Sequence, residues 1–520
     1  MDRLAVASLL KTAAYPERTG SVHLVQTHVS LLFMTDAYVY KVKKAVDFGF
    51  LNFSTLDRRR FYCTEEVRLN RRLCPGMYLG VVEVRASGSG ASFHGTGKVV
   101  DYAVKMKRLP SDRMLDRLLR QGKVTDDDIR VIARVIAEFH LAAEQSDVIS
   151  SYGSVEAIAR NCNENFLQTA VFIPSTIDRT TYALLQEWTA RFLAEHAALF
   201  ESRVREGRIR DCDGDIHLEN ISLADRIWIF DCIEFNNRFR YSDTAADIAF
   251  LLMDLEYEGA DRFLKPFLDE YVAVTEDDGI APLLEFYKVY RAMVRGKVES
   301  FRLNDPDIPD TEKELAAGRA RRYFRLARRY VLSRRLAPTL FITCGLTGSG
   351  KSSLARELAF DLGIKRFSSD DTRKELSGIA PGERHDSPYH EGIYAPGITA
   401  SVYATLLDRG EAALAAGRSV ILDATFLDAT QRAACRRLAE SCRAQFVILQ
   451  TTVPEPVARE RLDRRYADES EVSDGRWEIY QEQRKTFVPV SPGEGTVIAL
   501  DTTGPTADAI REILDRLELI

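Results

Sequence analysis

The chain is 520 residues long, 45% apolar and 28% charged, with a net charge of −6 at neutral pH. At about 100 to 200 residues per domain, that length suggests some three folding units, and the acidic balance excludes bulk electrostatic attraction to nucleic acid while leaving room for a local cationic site. Its eight cysteines form no C-x-x-C pair and no zinc-type spacing with histidine, and no apolar run approaches the roughly 18 residues of a membrane helix, so a cytoplasmic protein with reduced thiols and no membrane partner is expected.

Residues 22–109 read mainly as strands, with one amphipathic helix over 57–73. One of these strands carries "VYKVKK", with Lys41 and Lys43 on the same face, and the helix carries Glu66. Helical periodicity follows over 111–206. A short strand, loop and strand then contain "DCDGDIHLEN", with Asp231 at the end of the second strand. Phosphoryl transfer needs a base for the acceptor hydroxyl and oxygen ligands for Mg²⁺. Asp215 has the place of the base, and Asn220 and Asp231 those of the metal ligands. A D-x-H-x-x-N alone would serve equally as a polar loop; the ordered partners upstream give it meaning. Lys41 paired with Glu66 would hold the α and β phosphates, with Lys43 the competing choice.

More helix runs to about 300, then the polar stretch 304–314 reads as a surface loop. A helix with eight arginines between 319 and 335 follows, with Tyr323, Phe324, Leu326, Tyr330 and Val331 available for packing. Its basic face is either a solvated interdomain surface or a nucleic-acid contact.

After Pro338 the pattern becomes strand, glycine-rich loop and helix, repeated, as in a parallel α/β sheet. The stretch "GLTGSGKSS" spans Gly345 to Ser353 and has the form of a phosphate cradle. Gly345, Gly348, Ser349 and Gly350 allow backbone amides to face phosphates, with Ser353 in the helix that follows. Lys351 would reach the β and γ oxygens, and Ser352 would ligate Mg²⁺. Next, "SSDDTRKEL" places Asp370, Asp371 and Arg373 at a strand-to-helix junction, where a carboxylate can take a hydroxyl proton and an arginine can hold an anionic substrate group. The strand "VILDATF" ends in Asp423, suited to hold a metal-bound water or orient the acceptor. Finally "VARERLDRRYADE" supplies Arg459, Arg461, Arg464 and Arg465 to a lid, from which one arginine would neutralise the transferring phosphoryl group.

Residues 338–520 resemble the P-loop kinases grouped with polynucleotide kinase, zeta-toxin and small-metabolite kinases. That resemblance implies Asp370 as general base and Arg373 as substrate ligand. Residues 20–300 resemble the aminoglycoside phosphotransferase-like branch of the protein-kinase-like fold, whose loop commonly reads H-G-D-x-H-x-x-N. Here Asp213 stands where the histidine is usual. The resemblance also implies a hinge strand whose backbone near residues 107–109 would bond adenine, and Asp243 and Asp247 match its acidic helix start; they read as structural, stabilising a helix N-terminus and loop.

Together the expected architecture is multidomain, α+β followed by α/β. A bilobal protein-kinase-like part has a small lobe at 1–110 and a helical lobe at 111–310; a basic linker helix spans 311–337; and a P-loop NTPase with a parallel sheet flanked by helices occupies 338–520. The combination resembles bacterial fusions of these two kinds of domain, which also share the "VDFGFLNFSTLDRRR" segment. It implies an ATP- and Mg²⁺-dependent bifunctional kinase acting on a hydroxyl acceptor such as a sugar, another metabolite, an antibiotic or a nucleic-acid end. The alternatives are one active domain beside a regulatory switch or degenerate scaffold, and a nucleic-acid 5′-hydroxyl kinase.

Overall fold

In a computed structural model of the protein, residues 3–88, 90–306, 308–380, 392–467 and 476–520 are described, except for the side chains of 465–467. The chain divides into two compact units, Met1–Ala327 and Arg328–Ile520.

The first unit opens with β1 (His23–Gln26), β2 (Ser30–Met34), β3 (Tyr38–Lys43), β4 (Tyr78–Ser87), β5 (Gly90–Ser92) and β6 (Val99–Lys107). They form one antiparallel sheet in the order β1-β2-β3-β6-β4-β5. The helix Leu56–Asn70 packs on β4 and β6, and Thr55 caps its start by accepting from the Arg58 amide. Its buried face corrects the expectation of an apolar stripe: Arg59, Glu66 and Asn70 point inward with Cys63, Val67 and Leu69. Buried charges persist only with partners. Arg59 finds Asp101 at 2.7 Å, and Glu66 finds two lysines.

The rest of this unit is helical, with four short strands: β7 (Ile209–Asp211), β8 (Ile221–Leu223), β9 (Ile227–Ile229) and β10 (Tyr241–Asp243). β7 pairs with β10 and β8 with β9, both antiparallel. Every residue of the helix Thr244–Tyr257 is buried. Its Ile248, Leu251 and Leu255 belong to a core shared with Ile132, Ile136, Phe267 and Leu283, and Asp247, Asp254 and Glu256 are buried with them. The stretch 304–314 is only partly loop. The helix Asp310–Arg335 begins inside it, with Asp310 and Glu312 in the first turn, where carboxylates complement the helix dipole. Tyr323, Phe324, Leu326, Tyr330 and Val331 are all buried.

The second unit is a parallel sheet of β11 (Thr339–Cys344), β12 (Lys365–Ser368), β13 (Val420–Asp423), β14 (Gln445–Thr452) and β15 (Thr496–Asp501), in the order β12-β13-β11-β14-β15. β11 and β13 are buried throughout, as expected where crossover helices cover both faces. β11 sits centrally, so a crevice opens beyond its carboxyl end, the usual ligand position in such sheets. Among the described residues, no helix is long and apolar enough to cross a membrane.

Candidate functional site

In the second unit, the loop after β11 has Gly345, Gly348 and Gly350 at positive φ, with Gly350 as the cap of the helix Lys351–Leu362. A Cβ at Gly345 would lie 2.6 Å from the Thr451 carbonyl oxygen, so only glycine fits there. The loop is held from several sides. Ser349 Oγ meets Thr451 Oγ1 at 2.7 Å, Thr502 Oγ1 donates to the Ser349 carbonyl at 2.7 Å, and the Thr347 amide donates to Gln483 Oε1 at 2.8 Å. Lys351 Nζ donates to the Leu346 carbonyl at 2.7 Å. Lys351, Ser352 and Ser353 begin the helix, where amides have no intrahelical acceptor and suit an anion.

Ser368 ends β12 and caps the helix Ser369–Leu376, its hydroxyl accepting from the amides of Asp370 and Asp371. This geometry puts Asp370 in the first turn and Arg373 one turn on. Arg373 is 7% exposed, lies over the Tyr394 ring at 4.7 Å, and its Nε and Nη1 have no hydrogen-bond partner. Asp423 is buried at the end of β13. Its oxygens accept from Thr343 Oγ1 at 3.2 Å and from Arg366 Nη1 at 2.7 Å, so it suits a metal-bound water better than direct ligation. Lys351, Ser352, Asp370, Arg373 and Asp423 all line one cleft of about 380 Å³. Of the four lid arginines, Arg461 reaches the loop region, donating to the Thr502 carbonyl at 2.5 Å. Arg459 stacks on Trp477, and Arg464 pairs with Glu460. The Arg465 side chain lies outside the described residues.

In the first unit, Lys41 and Lys43 project from one face of β3 and both meet Glu66, at 2.9 and 2.6 Å. The choice between them resolves as a division of labour: Lys41 also pairs with Asp231, and Lys43 with Glu234. Burial alone would raise the Glu66 carboxyl, but the two ammonium groups outweigh it and hold the group down to about 2. Asp231 follows β9 at φ 67° with a 44% exposed side chain, and its amide donates to Tyr78 Oη at 3.1 Å. Asn220 Nδ2 donates to the Asp215 carboxylate at 3.2 Å, and His217 Nε2 lies 3.6 Å from it. Burial pushes Asp215 up, but His217, Arg295 and Arg291 more than offset this, leaving it below the usual range. It is therefore ionised at neutral pH, as a base must be.

The loop carrying Asp215 hangs from the buried helix Thr244–Tyr257. Asp247 accepts from the amides of Asp213 and Gly214, at 3.0 and 2.8 Å, and Asp254 accepts from the Leu218 amide at 3.1 Å. Asp243 caps that helix and pairs with Arg203. Arg291 donates to the Gly214 carbonyl at 2.9 Å and Arg72 to the Asp211 carbonyl at 2.7 Å. Asp213 is buried, and burial with the neighbouring Asp247 pushes its carboxyl well up. His140, Cys212 and Asp247 also converge; hydrogen bonds between His140 and both Tyr271 and Asp247, and from Cys212 to the Ser242 carbonyl, account for them. The expected adenine contact is altered, since the Lys107 and Arg108 amides are already donated to Met77 and Ala37.

Sequence reasoning missed Glu234, Arg72, Arg291, Arg366 and Gln483. Glu234 alone had a local signal: a second strand lysine needing a countercharge, and an acid three residues beyond Asp231.

A phosphate loop at the head of a helix, beyond the central strand of a parallel sheet, defines the second unit as a P-loop domain. The model of the AAA_33 family, "AAA domain", matches residues 340–489. The uncharacterized protein Rv2004c of Mycobacterium tuberculosis is 30% identical over 451 residues, covering 86% of this chain and 87% of that protein, and Mb2027c of Mycobacterium bovis matches equally. The chain belongs to the family of these mycobacterial proteins. Among solved structures, a sugar kinase from Janibacter sp. HTCC2649 is 20% identical, covering 35% of this chain and 95% of its own, with a TM-score of 0.28. A gluconokinase from Sinorhizobium meliloti is 24% identical, covering 35% and 94%, with a TM-score of 0.26.

Proposed function

We propose that the second unit, residues 338–520, is an ATP-dependent phosphotransferase. The observation that carries this is the opening of Lys351, Asp370 and Arg373 onto one cleft. In this reading the amides of the Gly345–Ser353 loop and Lys351 hold the β and γ phosphates, and Asp370 takes the proton of the acceptor hydroxyl. Arg373 binds an anionic group of the acceptor, and Arg461 approaches from the lid. Ser352 would hold Mg²⁺, with Asp423 holding a water bound to it, and the ion would offset charge on the phosphate oxygens. Fixed cations and dipoles where charge redistributes are usually the largest single contribution to the rate in such chemistry.

A specific observation favours a second phosphotransferase in the first unit, with a small lobe at 1–110, a helical lobe at 111–310 and a linker at 311–337. Lys41, Glu66 and Asp231 meet although 190 residues separate Lys41 from Asp231, and Asp215 with Asn220 lies on a loop braced by buried acids. This matches the aminoglycoside phosphotransferase-like resemblance, with Asp215 as base and Asn220 and Asp231 holding Mg²⁺. The rival reading, a nucleotide-binding switch or scaffold, finds support in Asp213.

Labelled ATP with a panel of hydroxyl acceptors tests both readings. Lys351→Ala and Asp370→Asn should each abolish the product of the second unit. Asp215→Asn should cut that of the first by about 10² to 10⁴ while sparing ATP binding, the size of a general-base contribution. Full turnover in Asp370→Asn would remove it as the base.

A further inference from the structure

We infer that the acceptor of the second unit's cleft is a small polyhydroxylated monoanion, not a polynucleotide end; this rests on the phosphotransferase reading of that cleft. Among the described residues, the two cations lining it are Lys351, which belongs to the phosphate loop, and Arg373. Arg373 is buried with two nitrogens lacking hydrogen-bond partners. A guanidinium held dry in this way is costly unless an anion completes it. Among the described residues, Arg373 is the one lining cation outside the phosphate loop, and its two open nitrogens set one anionic group on the acceptor.

The remaining wall is mostly uncharged and hydrogen-bonding, with Thr399, Thr425, Tyr403, Gln431 and Gln483 facing the cleft. Hydroxyls and amides both donate and accept, the match for several sugar-type hydroxyls. A nucleic-acid strand needs a basic track and free aromatic faces. Tyr394 is occupied by Arg373, and Tyr403 meets Phe426 edge-on at 5.2 Å. The basic helix offers no open track either. Each of its eight arginines has a partner, including Arg319 with Glu299, Arg322 with the Tyr257 carbonyl and Arg328 with Asp361.

In the reaction, the acceptor hydroxyl gives its proton to the Asp370 carboxylate and its oxygen bonds to the γ-phosphorus. The bond from that phosphorus to the β,γ-bridging oxygen breaks, and ADP leaves with that electron pair.

The test uses the full chain in an Asp215→Asn background with ATP and, in turn, D-gluconate, D-glucose and a 5′-hydroxyl oligonucleotide, following ADP release and product mass. Gluconate should exceed glucose in kcat/KM by at least about tenfold. Arg373→Met should raise the gluconate KM roughly 10- to 100-fold, the effect of losing a charged hydrogen-bonding pair. The preference for gluconate over glucose should therefore collapse in Arg373→Met, and Arg373→Lys should restore part of it. Equal use of glucose, or preference for the oligonucleotide, overturns this inference and leaves the phosphotransferase reading standing. Absence of Lys351-dependent transfer to all three acceptors overturns both.

Discussion

Glu66 has no exposed surface and sits between two ammonium groups whose further counterions, among the described residues, are Asp231 and Glu234. Removing its charge strands two buried cations. Glu66→Gln should therefore cost about 3–5 kcal/mol in the first unit at neutral pH, the usual penalty for breaking a buried pair. The pH dependence has a definite sign. The folded carboxyl is held down to about 2, below the ordinary glutamate value near 4.3, so its stabilisation is fully present above the latter. It is lost as pH falls from there toward 2. Urea titrations of wild type and variant should show a gap that is wide at pH 7 and closes across this acid window. A gap independent of pH would mean the network is not what stabilises the fold.

At the scale of elements, the phosphate loop is built against the strands and loops around it. Gly350 has φ +82°, and a Cβ there would meet Thr502 Oγ1 at 3.1 Å and Arg461 Nη1 at 3.4 Å. Gly350→Ala thus combines a left-handed backbone, costing about 1–2 kcal/mol for an L-residue, with pressure on the contacts from Arg461 and Thr502. Calorimetric titration should show ATP affinity weakened by roughly tenfold or more. Unchanged affinity would show that the loop tolerates the shift. The helix Thr244–Tyr257 makes the complementary point. Its apolar residues bury it, and that burial gives Asp247 and Asp254 their geometry as acceptors for the amides of the Asp215 loop. Expectation and structure differed most for the helix Leu56–Asn70, because hydrophobic periodicity cannot see a polar face turned inward toward charges from elsewhere.

For the whole molecule, each unit has its own core, so unfolding is not one two-state event. Ligand linkage separates the parts, since a ligand at 100 times its Kd stabilises the unit it binds by about 2.7 kcal/mol. In scanning calorimetry with saturating Mg·ATP, the second unit's transition should rise in wild type and stay put in Lys351→Ala. Any remaining shift belongs to the first unit and should vanish in Asp231→Ala. No shift there, with the transition intact, would favour the scaffold reading of that unit.

What the sequence determined by itself is local. The Gly345–Ser353 loop, the Ser368 cap that sets Asp370 and Arg373 one turn apart, and the same-face placement of Lys41 and Lys43 follow from backbone preferences and side-chain periods within a few residues. Tertiary structure decided what depends on distance. That Lys41 takes Asp231 and Lys43 takes Glu234 joins positions 190 and 191 residues apart, and the Thr347 amide finds Gln483 across 136 residues. That Arg373 is buried over Tyr394 with two nitrogens lacking hydrogen-bond partners, and that the arginines of the helix Asp310–Arg335 are engaged, are likewise outcomes of packing. Charge and hydrogen-bonding capacity are written in residue type, but their partners exist only once the chain has brought distant strands and helices together.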